Sequence, residues 1–200
     1  KVFQIYSDKV LNELRCEQSM KPEIVFLSTD VGHRVAVRHF EVSSQFGSDA
    51  KAVCILASAT GIAQYLYDDF ASWLTTQGYH VVTFDYCGIG LSLDDHVKNL
   101  KSDGMSWANH DGAAVLNYAA ASFPGLERIW IGHSIGGHLP CMIEDFSLID
   151  RIITGGAGTG TWWLSPWPTR RVAWLFWCVV VSVSVPLMGY FPGKKTRHYV

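Results

Sequence analysis

Apolar positions along this chain follow two different periods. Ala52 to Ala57 is apolar without interruption, as burial on both faces of a parallel sheet requires. Tyr79 to Phe84, Ile129 to Ile131 and Ile149 to Thr154 are further short β-runs. Ile24 to Ser28 and Arg34 to Val42 flank the turn-prone Thr29-Asp30-Val31-Gly32, and the second alternates Val35, Val37 and Phe40 with polar neighbours, so the two predict an antiparallel edge hairpin. Between strands the spacing becomes helical. Tyr65, Leu66, Phe70, Trp73 and Leu74 recur on one side of Gln64 to Gln77, Asp68, Asp69, Thr75 and Thr76 on the other, and Gly78 is the stop. Met105 to Ser122 predicts a second helix and Ser134 to Phe146 a third. Strand and helix in alternation predict an α/β fold, a doubly wound, mostly parallel sheet with right-handed crossovers. No internal repeat interrupts that order.

The third strand to be followed by a helix carries the chemistry. Ile129-Trp130-Ile131 runs into Gly132-His133-Ser134-Ile135-Gly136, the G-x-S-x-G pattern of a nucleophile elbow. A serine on such a strand-to-helix turn has its hydroxyl exposed above the sheet, and flanking glycines leave room for neighbouring backbone. Ser134 is the candidate nucleophile for an ester, thioester or amide carbonyl. The backbone N–H groups of Ile135 and of Ile62, or a neighbour of Ile62 after the third strand, are the candidate oxyanion donors. The serine still needs a base, and the base an orienting acid. Asp85, at the end of the Tyr79 to Phe84 run, reads as an acceptor for loop amides, and Cys87, with no base or cation beside it in sequence, as a partly buried thiol.

Composition narrows the classes. Of 200 residues, 48% are hydrophobic and 17% charged, which suits one folded domain and argues against disorder. A formal net charge of -2 without a Lys/Arg-rich run gives no reason to expect a nucleic-acid partner. The five cysteines, Cys16, Cys54, Cys87, Cys141 and Cys178, include no C-x-x-C pair and read as reduced core thiols of a cytoplasmic protein. Eight histidines show no H-E-x-x-H spacing, so no metal and no cofactor is expected.

Several motifs in order resemble the α/β-hydrolase family, and over residues 22 to 193 its serine aminopeptidase and lysophospholipase-like bacterial subgroup. Ala59-Thr60-Gly61-Ile62-Ala63 stands where relatives carry His-Gly, with Thr60 in place of the common histidine. Gly78-Tyr79 opens the fourth strand, and Asp85-Tyr86-Cys87-Gly88-Ile89-Gly90-Leu91-Ser92 resembles the Asp-x-Arg-Gly-x-Gly-x-Ser loop, with Cys87 in place of the arginine. Trp163-Leu164-Ser165-Pro166-Trp167-Pro168 and Gly189-Tyr190-Phe191-Pro192-Gly193 resemble a cap insertion. The resemblance implies a lead segment at 1–21, a hydrolase core at 22–160, an apolar cap at 161–193 and a tail at 194–200. It also implies a serine hydrolase with a small-molecule or acyl substrate, its acid and histidine following the elbow. His138, His198, Glu144, Asp145 and Asp150 are the groups there, and none fits by position, so two carboxyl-terminal strands bearing the acid and histidine are expected to be missing from the chain.

Two other classes compete. One is a non-catalytic binding module with the same fold and a relic elbow. The other is a membrane-associated protein, because residues 172–193 hold no charged side chain. Arg170 and Arg171 on one side and Lys194 and Lys195 on the other give no orientation bias, and Ser182, Ser184 and Pro186 dilute the apolar run, so a cap helix over the elbow is the favoured expectation and membrane contact the lesser one.

Overall fold

The computed structural model describes residues 22–46, 49–96, 99–158 and 161–188. Six strands form one sheet in the order β1-β2-β4-β3-β5-β6. The strands are β1 (Glu23–Ser28), β2 (Arg34–Phe40), β3 (Ala52–Ala57), β4 (Tyr79–Phe84), β5 (Arg128–His133) and β6 (Arg151–Gly155). β1 and β2 form the expected antiparallel hairpin, and β2 also runs antiparallel to β4. β4, β3, β5 and β6 are parallel, with Cys54 opposite Val81 on one side and Ile129 on the other. The elbow strand is therefore interior, between β3 and the edge strand β6.

Two layers cover the sheet. On one face Val35, Val37, Val53, Ile55, Val82 and Phe84 pack against the 104–122 helix through Ala108, Val115, Leu116 and Ala119. On the other, Cys54, Leu56 and Val81 meet Ala71 and Leu74 of the Asp68–Thr76 helix. All six residues of β3 are buried, which is what its unbroken apolar run requires. Burial also pushes the Cys54 thiol pKa up to about 12.

Three expectations are corrected. The Gln64 to Gln77 helix opens with a tight turn at Gln64–Tyr67, three residues per turn, so its first residues do not share a face with the Asp68–Thr76 helix. Ala71, Leu74 and Thr75 are buried, while Phe70 and Trp73 lie outside and stack on each other at 5.8 Å. The helix expected from Ser134 to Phe146 is replaced by two short turns, Ser134–Gly137 and Leu139–Cys141. Pro140 explains the break, because it has no N–H for the Gly136 carbonyl, and that oxygen instead accepts the Trp130 indole N–H at 2.8 Å. Of the cysteines, Cys54 and Cys87 are buried but Cys141 and Cys178 are exposed, and Cys16 lies outside the described residues.

The cap expectation meets the largest difference. Residues 169–188 are one continuous helix, and none of its described side chains is buried. It does not form an apolar wall against the elbow. β6, the adjoining sheet edge, is likewise exposed at all five positions. The Gly189 to Gly193 part of the expected cap lies outside the described residues.

Candidate active site

Ser134 sits at the carboxyl end of β5 with φ of 54°, and it is the only non-glycine residue with positive φ among those described. Serine does not adopt that conformation without surrounding structure to hold it. The hold is visible in the two flanking glycines. A Cβ on Gly132 would run into the Gly136 carbonyl, and a Cβ on Gly136 into the Ala57 carbonyl of β3, whose carbon would be 2.7 Å away. Beneath them Trp130, fully buried, ties β5 to the turn through its indole bond to Gly136.

The loop after β3 is joined to the elbow by Tyr67. Its hydroxyl accepts the Ala59 N–H at 3.1 Å and lies 2.8 Å from Nδ1 of His133. His133 is thus a positioning contact on the elbow's exposed side. The Ala59–Ile62 turn corrects one donor assignment. The Ile62 N–H closes the turn on the Ala59 carbonyl at 3.1 Å, with Gly61 at φ of 72°, so it is not free for a substrate oxygen.

Asp85 is 1% exposed and fully engaged in structure. Its carboxylate accepts the Gln64 N–H at 2.7 Å, the Gln64 side-chain amide at 3.0 Å and the Leu91 N–H at 2.9 Å. The same Gln64 amide donates to the Ala36 carbonyl, and its oxygen accepts from Thr83 Oγ1. Ser92 Oγ donates to the Asp85 carbonyl and accepts the Ala36 N–H. β2, β4 and the two loops after β3 and β4 are locked together by this network. Burial raises the Asp85 pKa, and the hydrogen bonds from Gln64 and Leu91 oppose the rise. Asp85 is the loop acceptor its position predicts.

The groups weighed as acid or base lie elsewhere. His138 Nε2 meets the Gly158 carbonyl at 3.0 Å. Asp150 accepts the Arg128 N–H at 2.8 Å, at the amino end of β5 and so the far end from Ser134. Asp145 caps Ser147, and the Glu144 N–H donates to Asn109. His198 lies outside the described residues. Clefts of about 610 and 350 Å³ open beside the β1–β2 turn and the 104–122 helix, not over Ser134.

Tyr67, Gln64 and the Trp130 to Gly136 bond are the parts sequence reasoning did not single out. Asp85 and Ser134 stand in recognisable motifs, but the partners are separated from them by turns whose geometry no local pattern states.

A serine in this conformation at the end of an interior strand narrows the comparison with known families. The serine aminopeptidase S33 family matches residues 48–192, most of the chain. The chain belongs to that family. It accordingly has the fold of the α/β-hydrolase superfamily. A comparison with curated protein sequences finds no match. Among solved structures, a soluble variant of monoglyceride lipase from Saccharomyces cerevisiae, in complex with a substrate analogue, aligns with a TM-score of 0.59 at 20% identity over 68% of this chain and 45% of that one. A thermostable carboxyl esterase from Bacillus coagulans, in complex with glycerol, aligns with a TM-score of 0.57 at 15% identity over 89% and 54%. An esterase from Pyrococcus furiosus aligns at 0.53, 15% identity, over 69% and 50%. These likenesses establish the fold of the S33-family chain, which spans about half the length of those structures.

Proposed function

We infer that the chain is the Ser134-bearing part of a serine hydrolase acting on an ester, thioester or amide carbonyl. The observation that carries this reading is the strained φ of 54° at Ser134, on a turn built with Gly132 and Gly136 at the end of β5. Ser134 Oγ attacks the carbonyl carbon, its proton passes to a base, and the leaving group departs with that proton as the acyl-serine forms. The Ile135 N–H stabilises the oxyanion from the elbow side. From the other side the donor is Thr60, which lies inside the Ala59–Ile62 turn and is not its closing donor, and Tyr67 fixes that loop against His133. The base and its acid come from outside the described residues, since no histidine among those described hydrogen-bonds Ser134. The substrate is a small molecule or acyl compound, in line with the lipase and esterase likenesses, and free thiols at Cys54, Cys87, Cys141 and Cys178 support a cytoplasmic setting.

Fluorophosphonate labelling and p-nitrophenyl ester hydrolysis, compared between the native protein and Ser134→Ala, test the reading. The expected outcome is labelling on Ser134 and a loss of roughly a thousandfold or more in kcat/KM in the variant. Residues 1–200 alone are expected to retain only what an oxyanion hole and binding supply. Native activity indifferent to Ser134→Ala overturns the assignment.

A second reading, membrane association, draws on one observation. Thr169–Leu187 is a 19-residue helix of mean hydropathy 1.4 with no buried residue. At 1.5 Å per residue it is about 28 Å long, close to a hydrocarbon core of about 30 Å. Flotation with phosphatidylcholine vesicles tests it: co-flotation abolished by Trp177→Asp and Val180→Asp supports a lipid partner, and failure to float leaves the helix to the protein itself.

A further inference from the structure

A separate cleft of about 350 Å³ opens beside the β1–β2 turn, lined by His33, Cys87, Asn99, Lys101, Ser106 and His110 among others. Its position follows from the sheet order. His33 precedes β2 and Ser134 follows β5, three strand spacings apart, or about 14 Å at roughly 4.8 Å per spacing. The cleft is therefore distinct from the elbow, and what it binds does not depend on the hydrolase reading.

Both imidazoles in it are fixed from behind. His33 Nδ1 lies 3.0 Å from Asp111, and His110 Nδ1 lies 2.8 Å from Asp30. Asp111 is completely buried and is held in turn by the Cys87 N–H at 2.7 Å. A carboxylate on Nδ1 sets the orientation of each ring, leaving Nε2 as the nitrogen for a ligand. The two rings are 6.0 Å apart and nearly perpendicular. Lys101 is in no ion pair among the described residues, and no carboxylate lines the cleft. The Ser106 hydroxyl is an additional donor, while the Asn99 amide donates to Asp95 at 3.0 Å. No group of three or more His, Cys, Asp or Glu among the described residues is placed to hold a metal ion.

We propose that this cleft binds a small anion, the carboxylate or phosphoryl group of a ligand, through His33, His110 and Lys101. Two imidazoles and a lysine line one space, and the carboxylates of Asp111 and Asp30 hold the two imidazoles at Nδ1. Against His33 stand Asp111 and His110 on the 104–122 helix, and against His110 stand Asp30 of the hairpin turn and His33.

The test follows the His33 and His110 ring resonances by NMR while the folded protein is titrated with sodium sulfate, as a phosphoryl stand-in, and with sodium acetate. The expected result is saturable shifts at His33 and His110, absent at His133. Lys101→Gln, a surface change that leaves the fold intact, is expected to weaken binding several-fold. Tighter sulfate binding points to a phosphoryl ligand and tighter acetate binding to a carboxylate. Rings unmoved by either ion, shifts equal to those of His133 or to a sodium chloride control at matched ionic strength, or rings that move only with Zn(II), overturn the proposal.

Discussion

The two ends of the described chain are equally apolar in sequence and opposite in burial. From β2 through β5, valines, isoleucines and aromatics lie inside: Val35, Val53, Ile55, Val82 and Trp130 are all fully buried. From β6 onward the same residue types face outward, with Ile153 at 53%, Trp177 at 53% and Leu187 at 76% exposure. The first region has layers on both faces of the sheet and a hydrogen-bonded lattice around Asp85. Among the described residues, the second has a sheet edge without a further partner strand and a helix with no buried side chain, touched by the tryptophans just before it at Arg170 and Arg171. The comparison teaches that apolar content states a demand for burial, while a partner surface alone satisfies it.

Sequence changes on the two sides break that symmetry in a graded way. Asp85→Ala removes the acceptor for two backbone N–H groups and a buried amide, so a loss of about 3–5 kcal/mol is expected in urea denaturation. A loss under about 1 kcal/mol would mean that the loops after β3 and β4 hold their shape without it. Gly136→Ala drives a methyl group into the Ala57 backbone and is expected to lose about 3 kcal/mol or more, together with reactivity at Ser134, because the elbow must open to admit it. Ile55→Ala leaves a cavity in a packed core, for an expected loss of about 2–5 kcal/mol. Leu175→Ala on the exposed helix is expected to change stability by no more than about 0.5 kcal/mol. If Leu175→Ala matches Ile55→Ala in the same assay, the helix is packed in solution and the contrast between the two regions fails.

A gentler probe is pH. His39 and His80 pack on Phe123, with ring centroids 4.9 and 4.5 Å from it, and His39 Nε2 is buried without a hydrogen bond. Burial is the main cause holding both imidazoles below their ordinary pKa, against the pull of Glu41. The unfolded chain takes up protons near pH 6.5 that the folded chain resists. Stability is then level above about pH 7 and declines as pH falls through 6.5 toward the lower folded values. Melting temperatures between about pH 5 and pH 8, in native protein and in His39→Phe, check it; an unchanged acid slope in the variant assigns the loss to other groups.

Much of the fold was legible because strands buried on both faces need unbroken apolar runs, and β3 carries one from Ala52 to Ala57. The elbow was legible because only small residues fit at 132 and 136, so the requirement is written in the residue types themselves. The burial of Asp85 was readable from its place at a strand end, though its dependence on Gln64 was not. The Asp68–Thr76 helix shows the limit of periodicity: Ala71 meets the sheet because it is small enough to let the helix approach, while the larger Phe70 and Trp73 stack outside.

By itself, then, the sequence determined the succession of strands, the two helices that cover the sheet, the hairpin at the amino-terminal edge and the glycine-flanked serine, since each rests on local spacing or on residue size. Tertiary structure alone decided that Trp130 replaces Pro140 as donor to the Gly136 carbonyl, that Tyr67 joins the loop after β3 to His133, and that Asp111 backs His33 across 78 residues of chain. It also left the 169–188 helix uncovered. These contacts depend on surfaces brought together by strand order and crossover, and a residue's neighbours along the chain carry no record of them.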